Sequence, residues 1–139
     1  MTVVAGAFVA GLDAGLVYPT FPKMGDYWIP PEYSDLKPWY RNIFENPVAV
    51  QFNHRVLGLT TTGAVLAYTL ASFSVKFGHR AAMARNLLAG MVLVQAALGI
   101  GTLLYHVPVP MAAAHQSGSI ALLSFALWLG YVLKRVPKI

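Results

Sequence analysis

The chain has 139 residues, 57% of them hydrophobic and only 11% charged, where a soluble domain carries about 25% charged residues. That balance excludes an ordinary soluble enzyme and indicates a membrane protein. The formal charge of +5 is no nucleic-acid signature, because its basic residues collect at helix ends, and the absence of cysteine removes disulfides, thiolate zinc sites, iron–sulfur ligation and thioether-linked haem.

In chain order, residues 1–18 form a first apolar helix, short for a span and interrupted by Asp13. It has no basic leader and no clear cleavage site, so it is not a signal peptide, and its abrupt start looks like a helix entered partway through. Asp13 has two readings. It handles protons or orients a ligand, or it caps and bridges near the outer helix end, between Gly11 and Gly15 and close to water. Residues 19–46 are rich in proline and aromatics, including Pro30, Pro31, Trp28, Trp39 and Tyr40. Trp and Tyr favour the headgroup layer, so this segment is expected to lie along the membrane as a lid, with a short helix near residues 31–40. Asn46 then reads as an N-cap and Pro47 as the first residue of a second helix over residues 47–75.

Residues 56–75, 86–105 and 112–133 contain no Asp, Glu, Lys or Arg. Each meets the roughly 20 apolar residues a membrane crossing needs. The third and fourth helices are expected at 86–105 and 111–133. Lys76, Arg80 and Arg85 fall between the second and third, and Lys134, Arg135 and Lys138 follow the fourth. A four-crossing topology puts both groups on one side, the inner side by the positive-inside rule, with residues 19–46 and the turn 106–110 on the other. The fold class expected is an all-α membrane protein, a single four-helix transmembrane domain over residues 1–139.

The chemistry centres on two histidines near the outer mouths of different helices at matched depth, His54 and His115. Polar side chains inside a span are costly and call for a partner, and two facing imidazoles suit the axial positions of a haem. Gly58 is four residues after His54 and Gly118 three after His115. That spacing puts each glycine on its histidine's helix face, where bare backbone admits a flat macrocycle or a close helix neighbour. Packing or interfacial histidines therefore stand beside the bis-histidine haem, and zinc is disfavoured with two ligands only. Arg55 reads either as a guanidinium for a haem propionate or as a membrane-surface anchor paired with Asp13 or Glu45. Gln51, one turn before His54, can face the same pocket, whereas Gln116 points towards a helix interface. His79 and His106 read as solvated, Met83, Met91 and Met111 as reserve ligands. The Thr60–Thr61–Thr62–Gly63 run reads as back-bonding or interhelical contact.

Several strings carry a family resemblance across essentially the whole chain: AGAFVAGLDAG from Ala5 to Gly15, TFPKMGD from Thr20 to Asp26, FENP from Phe44 to Pro47, VQFNHR from Val50 to Arg55, and AHQSGS from Ala114 to Ser119. They resemble haem A synthase of the mitochondrial and alphaproteobacterial type. That family has eight transmembrane helices in two similar four-helix halves, and this chain resembles the C-terminal half, its first helix clipped by Met1. The resemblance implies oxidation of the haem O methyl to a formyl group, for cytochrome c oxidase assembly. It implies that His54 and His115 ligate the iron of a haem b that transfers electrons, while haem O is the substrate of the full enzyme. Where the family's other half places a glutamate one turn before its first ligand, this chain has Gln51. Catalytic residues are accordingly expected in the N-terminal half, and activity of this chain alone is in doubt. The resemblance also implies the mitochondrial inner membrane, or the plasma membrane of a bacterium, with the haem near the outer, intermembrane-space face. Partners expected are lipid, the N-terminal half or another subunit, an unspecified electron donor and a second copy, with no nucleic acid. A non-catalytic membrane scaffold or assembly factor and a small quinone-linked cytochrome b remain the alternatives.

Overall fold

The computed structural model describes residues 1–134. Among them five α-helices carry the fold: α1 (Thr2–Gly11), α2 (Arg41–Phe44), α3 (Pro47–Ala71), α4 (His79–Leu104) and α5 (Val109–Lys134). It is an all-α membrane bundle. Helices α3, α4 and α5, with α3 extended to Ser74 by a 3-10 turn, are long and apolar enough to cross a membrane. At about 1.5 Å per residue they reach well over the roughly 30 Å of hydrocarbon. Their large side chains, among them Leu59, Leu70, Leu93, Ile120 and Leu127, face outward, as suits a lipid solvent.

α1 is shorter than the expected 1–18. It stops at Gly11, and Asp13 adopts a left-handed backbone (φ 49°), which ends the helix and starts a 3-10 turn at Ala14–Leu16. Aspartate tolerates that conformation better than most residues. The Asp13 carboxylate makes no capping bond and is exposed, so neither a cap nor a partnership with Arg55 is seen. The outer segment forms a 3-10 turn at Pro31–Ser34 and the short α2, where one helix near residues 31–40 was expected. Tyr18 donates to Glu32 at 3.0 Å and Tyr33 to Asn53 at 3.1 Å, which pins this segment over the bundle mouth.

α3 starts as the sequence dictates. The Asn46 side chain accepts from Val48 N and Ala49 N, and Pro47 lacks the N–H that the first turn leaves unused. α4 begins at His79, seven residues before the expected start at 86, so Arg80 and Arg85 lie on the helix and not in its connection. Arg85 is buried at the inner end. Its guanidinium stacks 4.2 Å from the Phe73 ring and donates to the Ser72 carbonyl, which replaces the water it gives up. α5 carries Pro110 in its first turn, where proline is tolerated. Between α4 and α5 the turn is tight, with both His106 and Val107 at positive φ; for a β-branched residue that is strained.

The packing order is α1 on α3, α3 on α4 and α4 on α5. A compact apolar core of Ala84, Leu88 and Leu129, with Val65, Phe125 and Trp128 around it, ties α3, α4 and α5 together in the inner half. α3 and α5 make little direct backbone contact. The outer half between them is where the two histidines meet.

Candidate functional site

His54 sits two turns into α3 and His115 two turns into α5. The helices run in the same direction, so equal distances from their outer ends place the two rings at the same depth. The ring centroids are 6.4 Å apart and the planes are inclined by 80°. Both Nδ1 atoms are buried without a hydrogen-bond partner. Two polar atoms orphaned in an apolar layer are costly, so the arrangement calls for something between or beside the rings.

A metal–imidazole bond of about 2 Å and an imidazole radius of about 1.2 Å put two rings ligating one ion from opposite sides about 6.4 Å apart, centroid to centroid. The observed centroid spacing of 6.4 Å is of that size. Among the described residues no group of three or more His, Cys, Asp or Glu side chains converges, so a bare structural ion lacks a full ligand set. A haem does not need one. The macrocycle supplies four equatorial nitrogens and the protein two axial ligands. Haem therefore fits these donors, and a bare zinc site does not.

The other side chains singled out in the sequence are placed as follows. Arg55 pairs with neither Asp13 nor Glu45, the latter being held by Arg41. Its guanidinium donates to the backbone carbonyls of Tyr18 at 2.6 Å, Thr20 at 2.7 Å and Lys23 at 3.2 Å, and to Gln51 Oε1 at 3.3 Å. Its Nε is buried without a partner. Gln51 is buried and its amide donates to the carbonyls of Gly15 and Tyr18. The two side chains thus fasten the outer segment to α3 one turn from His54. Gly58 has open space about it and touches neither ring. Gly118 faces Gln95 and Met91 of α4, not the His115 ring, so spacing along one helix did not reveal what each glycine meets. Thr60 back-bonds to Val56 O, and Thr61 meets Thr2 of α1 at 2.9 Å, so the threonine run serves both of its expected roles. His79 and His106 are exposed, as is Gln116.

Three features escaped the sequence reading. Gly6 of α1 lies against the His54 ring and Gly99 of α4 against the His115 ring. Gln95, a turn before Gly99, is buried with its Nε2 unpaired. The only signal in the sequence was a polar amide in the middle of the apolar run 86–105.

The family model described as cytochrome oxidase assembly protein, COX15-CtaA, matches residues 1–127. The chain belongs to this family. It is 53% identical over 138 residues to “Heme A synthase COX15” of Bos taurus, covering 99% of this chain and 33% of that one. It is 47% identical over 133 residues to “Heme A synthase” of Nitrosospira multiformis, covering 96% of this chain and 37% of that one. It is 39% identical to the “Heme A synthase-mitochondrial ferredoxin fusion protein” of Schizosaccharomyces pombe, over 98% of this chain and 25% of that one. The chain thus spans about a third of the length of the curated haem A synthases it matches. No solved structure matches it. With three helices long and apolar enough to cross a membrane, the chain is a multi-pass member of this family.

Proposed function

We propose that this chain is the haem b-binding, C-terminal half of a haem A synthase, with His54 and His115 as the two axial ligands. The observation that carries the reading is the pair of imidazoles, ring centroids 6.4 Å apart, two turns into two helices that make little direct backbone contact. His54 and His115 would hold the haem, and the group would supply one-electron transfer and not oxygen activation. The residues of this chain hold that group and shield it. His54 and His115 fix its position, Gln51 and Arg55 hold the outer segment down over the mouth, and the inner core of Ala84, Leu88 and Leu129 closes the bundle below. The unpaired Nε of Arg55 supports a role for its guanidinium beside a haem propionate.

In this reading the complete protein oxidises the methyl of haem O to the formyl of haem A, and catalytic residues lie outside this chain. The named activity of its relatives supports that reaction, and Gln51 in place of a glutamate supports the non-catalytic assignment. The name of the yeast fusion relative supports a ferredoxin-class electron donor. The charge distribution supports an outer, intermembrane-space location for the haem in a mitochondrial inner membrane, or the equivalent face of a bacterial plasma membrane.

The test is made in a bacterial host that makes haem O but not haem A. The full-length protein containing this segment is expressed there and the extracted haems are resolved by chromatography. Haem A is expected to form, and to fall to background when His54 or His115 is replaced by Ala. Haem O alone from the wild type rejects the synthase reading. A wild type that purifies colourless supports a scaffold instead.

A further inference from the structure

We propose that Gly6 and Gly99 are positioning residues, each a bare seat on a neighbouring helix that sets the orientation of one ligand imidazole. The proposal rests on the haem reading above and deepens it.

The chain has twelve glycines. An ideal Cβ built on Gly6 comes 3.1 Å from His54 Cε1, and one on Gly99 comes 2.9 Å from His115 Cε1 and 3.3 Å from its Nε2. No other glycine meets a histidine, and Gly58, Gly63, Gly90 and Gly130, also in helices, have nothing within 4 Å. Each histidine thus has one glycine seat. The topology repeats too. Gly6 and Gly99 lie on helices running towards the outer side, and His54 and His115 on helices running away from it. α1 packs on α3 as α4 packs on α5. The bundle is in this respect two copies of one hairpin device, although the sequence shows no internal repeat.

Glycine inside a helix is unfavourable relative to alanine, so its use calls for a reason such as close approach. Here the reason is a ring lying on the helix backbone. A ligating histidine ordinarily gives its second ring N–H to a backbone carbonyl or carboxylate, which fixes its plane. A methyl group on Gly6 comes within 3.1 Å of His54 Cε1 and one on Gly99 within 2.9 Å of His115 Cε1, so the ring has to give way. The ring ends a flexible side chain, so it moves instead of unfolding the bundle. An iron ligand that moves or turns changes the low-spin signal and the reduction potential.

The experiment uses the purified, haem-loaded chain and its Gly6→Ala and Gly99→Ala variants, with Gly63→Ala and Gly90→Ala as controls at open positions. Ferric electron paramagnetic resonance, midpoint potential and helical circular dichroism are recorded on each. The expected result is a shift in the lowest-field g value and in potential for both seat variants, with neither control shifted. Loss of haem by a seat variant that keeps wild-type helicity and melting also supports the proposal. Wild-type g values and potential in both seat variants overturn it while leaving the haem reading intact, and so do equal shifts in the controls. Seat variants that lose haem together with helical structure overturn it as well, because the glycines are then needed only for packing. A wild type that takes up no haem overturns both readings.

Discussion

Replacing His54 or His115 with alanine is expected to remove bis-histidine haem binding, each variant alone being sufficient. Even an outer-shell partner of a metal site is worth about 10- to 100-fold in affinity, so loss of a direct ligand is expected to cost at least that much. Haem that remains is expected to be high-spin, with one axial position vacated. The two variants are predicted to behave alike, because neither ring has a hydrogen-bond partner at Nδ1 that makes it structurally indispensable. The readout is the haem-to-protein ratio with the Soret and α bands, after supplying haem b during purification. Circular dichroism checks that the helices persist. Wild-type spectra from both variants defeat the ligand assignment.

The second large effect is expected at Asn46, the cap of the helix that carries His54. Its Oδ1 caps α3 through Val48 N at 3.0 Å and Ala49 N at 3.3 Å. Its Nδ2 donates to Glu32 O at 2.7 Å and Asn42 Oδ1 at 2.9 Å. Asn42 in turn holds the backbone of Leu36 and Trp39. Two buried asparagines thus lock the outer segment to the start of the helix that carries His54. Loss of a cap costs about 0.5–2 kcal/mol, and leaving buried polar groups unpaired costs about 1–3 kcal/mol. Asn46→Ala is therefore predicted to destabilise the protein by about 2–4 kcal/mol. Asn46→Asp keeps the cap but sets a carboxylate oxygen against the Glu32 and Tyr33 carbonyls and Asn42 Oδ1, so it is expected to destabilise as well. Denaturant titration in detergent reads both, and an Asn46→Ala midpoint equal to wild type contradicts the role given to this residue.

The parts of the fold that were legible in the sequence are those with a local cause. Uninterrupted apolar runs located α3, α4 and α5, and Asn46–Pro47 marked the start of α3 to the residue. The pairing of His54 with His115 was legible because two rare polar groups in apolar helices shared one depth. What was illegible depends on neighbours distant in sequence. The start of α4 was missed because Arg80 and Arg85 looked like a solvated connection, whereas Phe73 and the Ser72 carbonyl receive the Arg85 guanidinium. Arg55 was read through charged partners, and the structure instead gives it three loop carbonyls, which no charge pattern announces. Gly58 and Gly118 were chosen by spacing from the histidines on their own helices. The glycines that touch the rings, Gly6 and Gly99, are on other helices, and intrahelical spacing carries no information about them.

The claim that two imidazoles from separate crossings grip one iron is tested most directly by electron paramagnetic resonance of the oxidised, haem-loaded wild type, with near-infrared magnetic circular dichroism on the same sample. The prediction is a single low-spin ferric species with a bis-imidazole charge-transfer band, unaltered by added imidazole or, after reduction, by carbon monoxide. A high-spin signal, a histidine–methionine band or ready binding of carbon monoxide contradicts it.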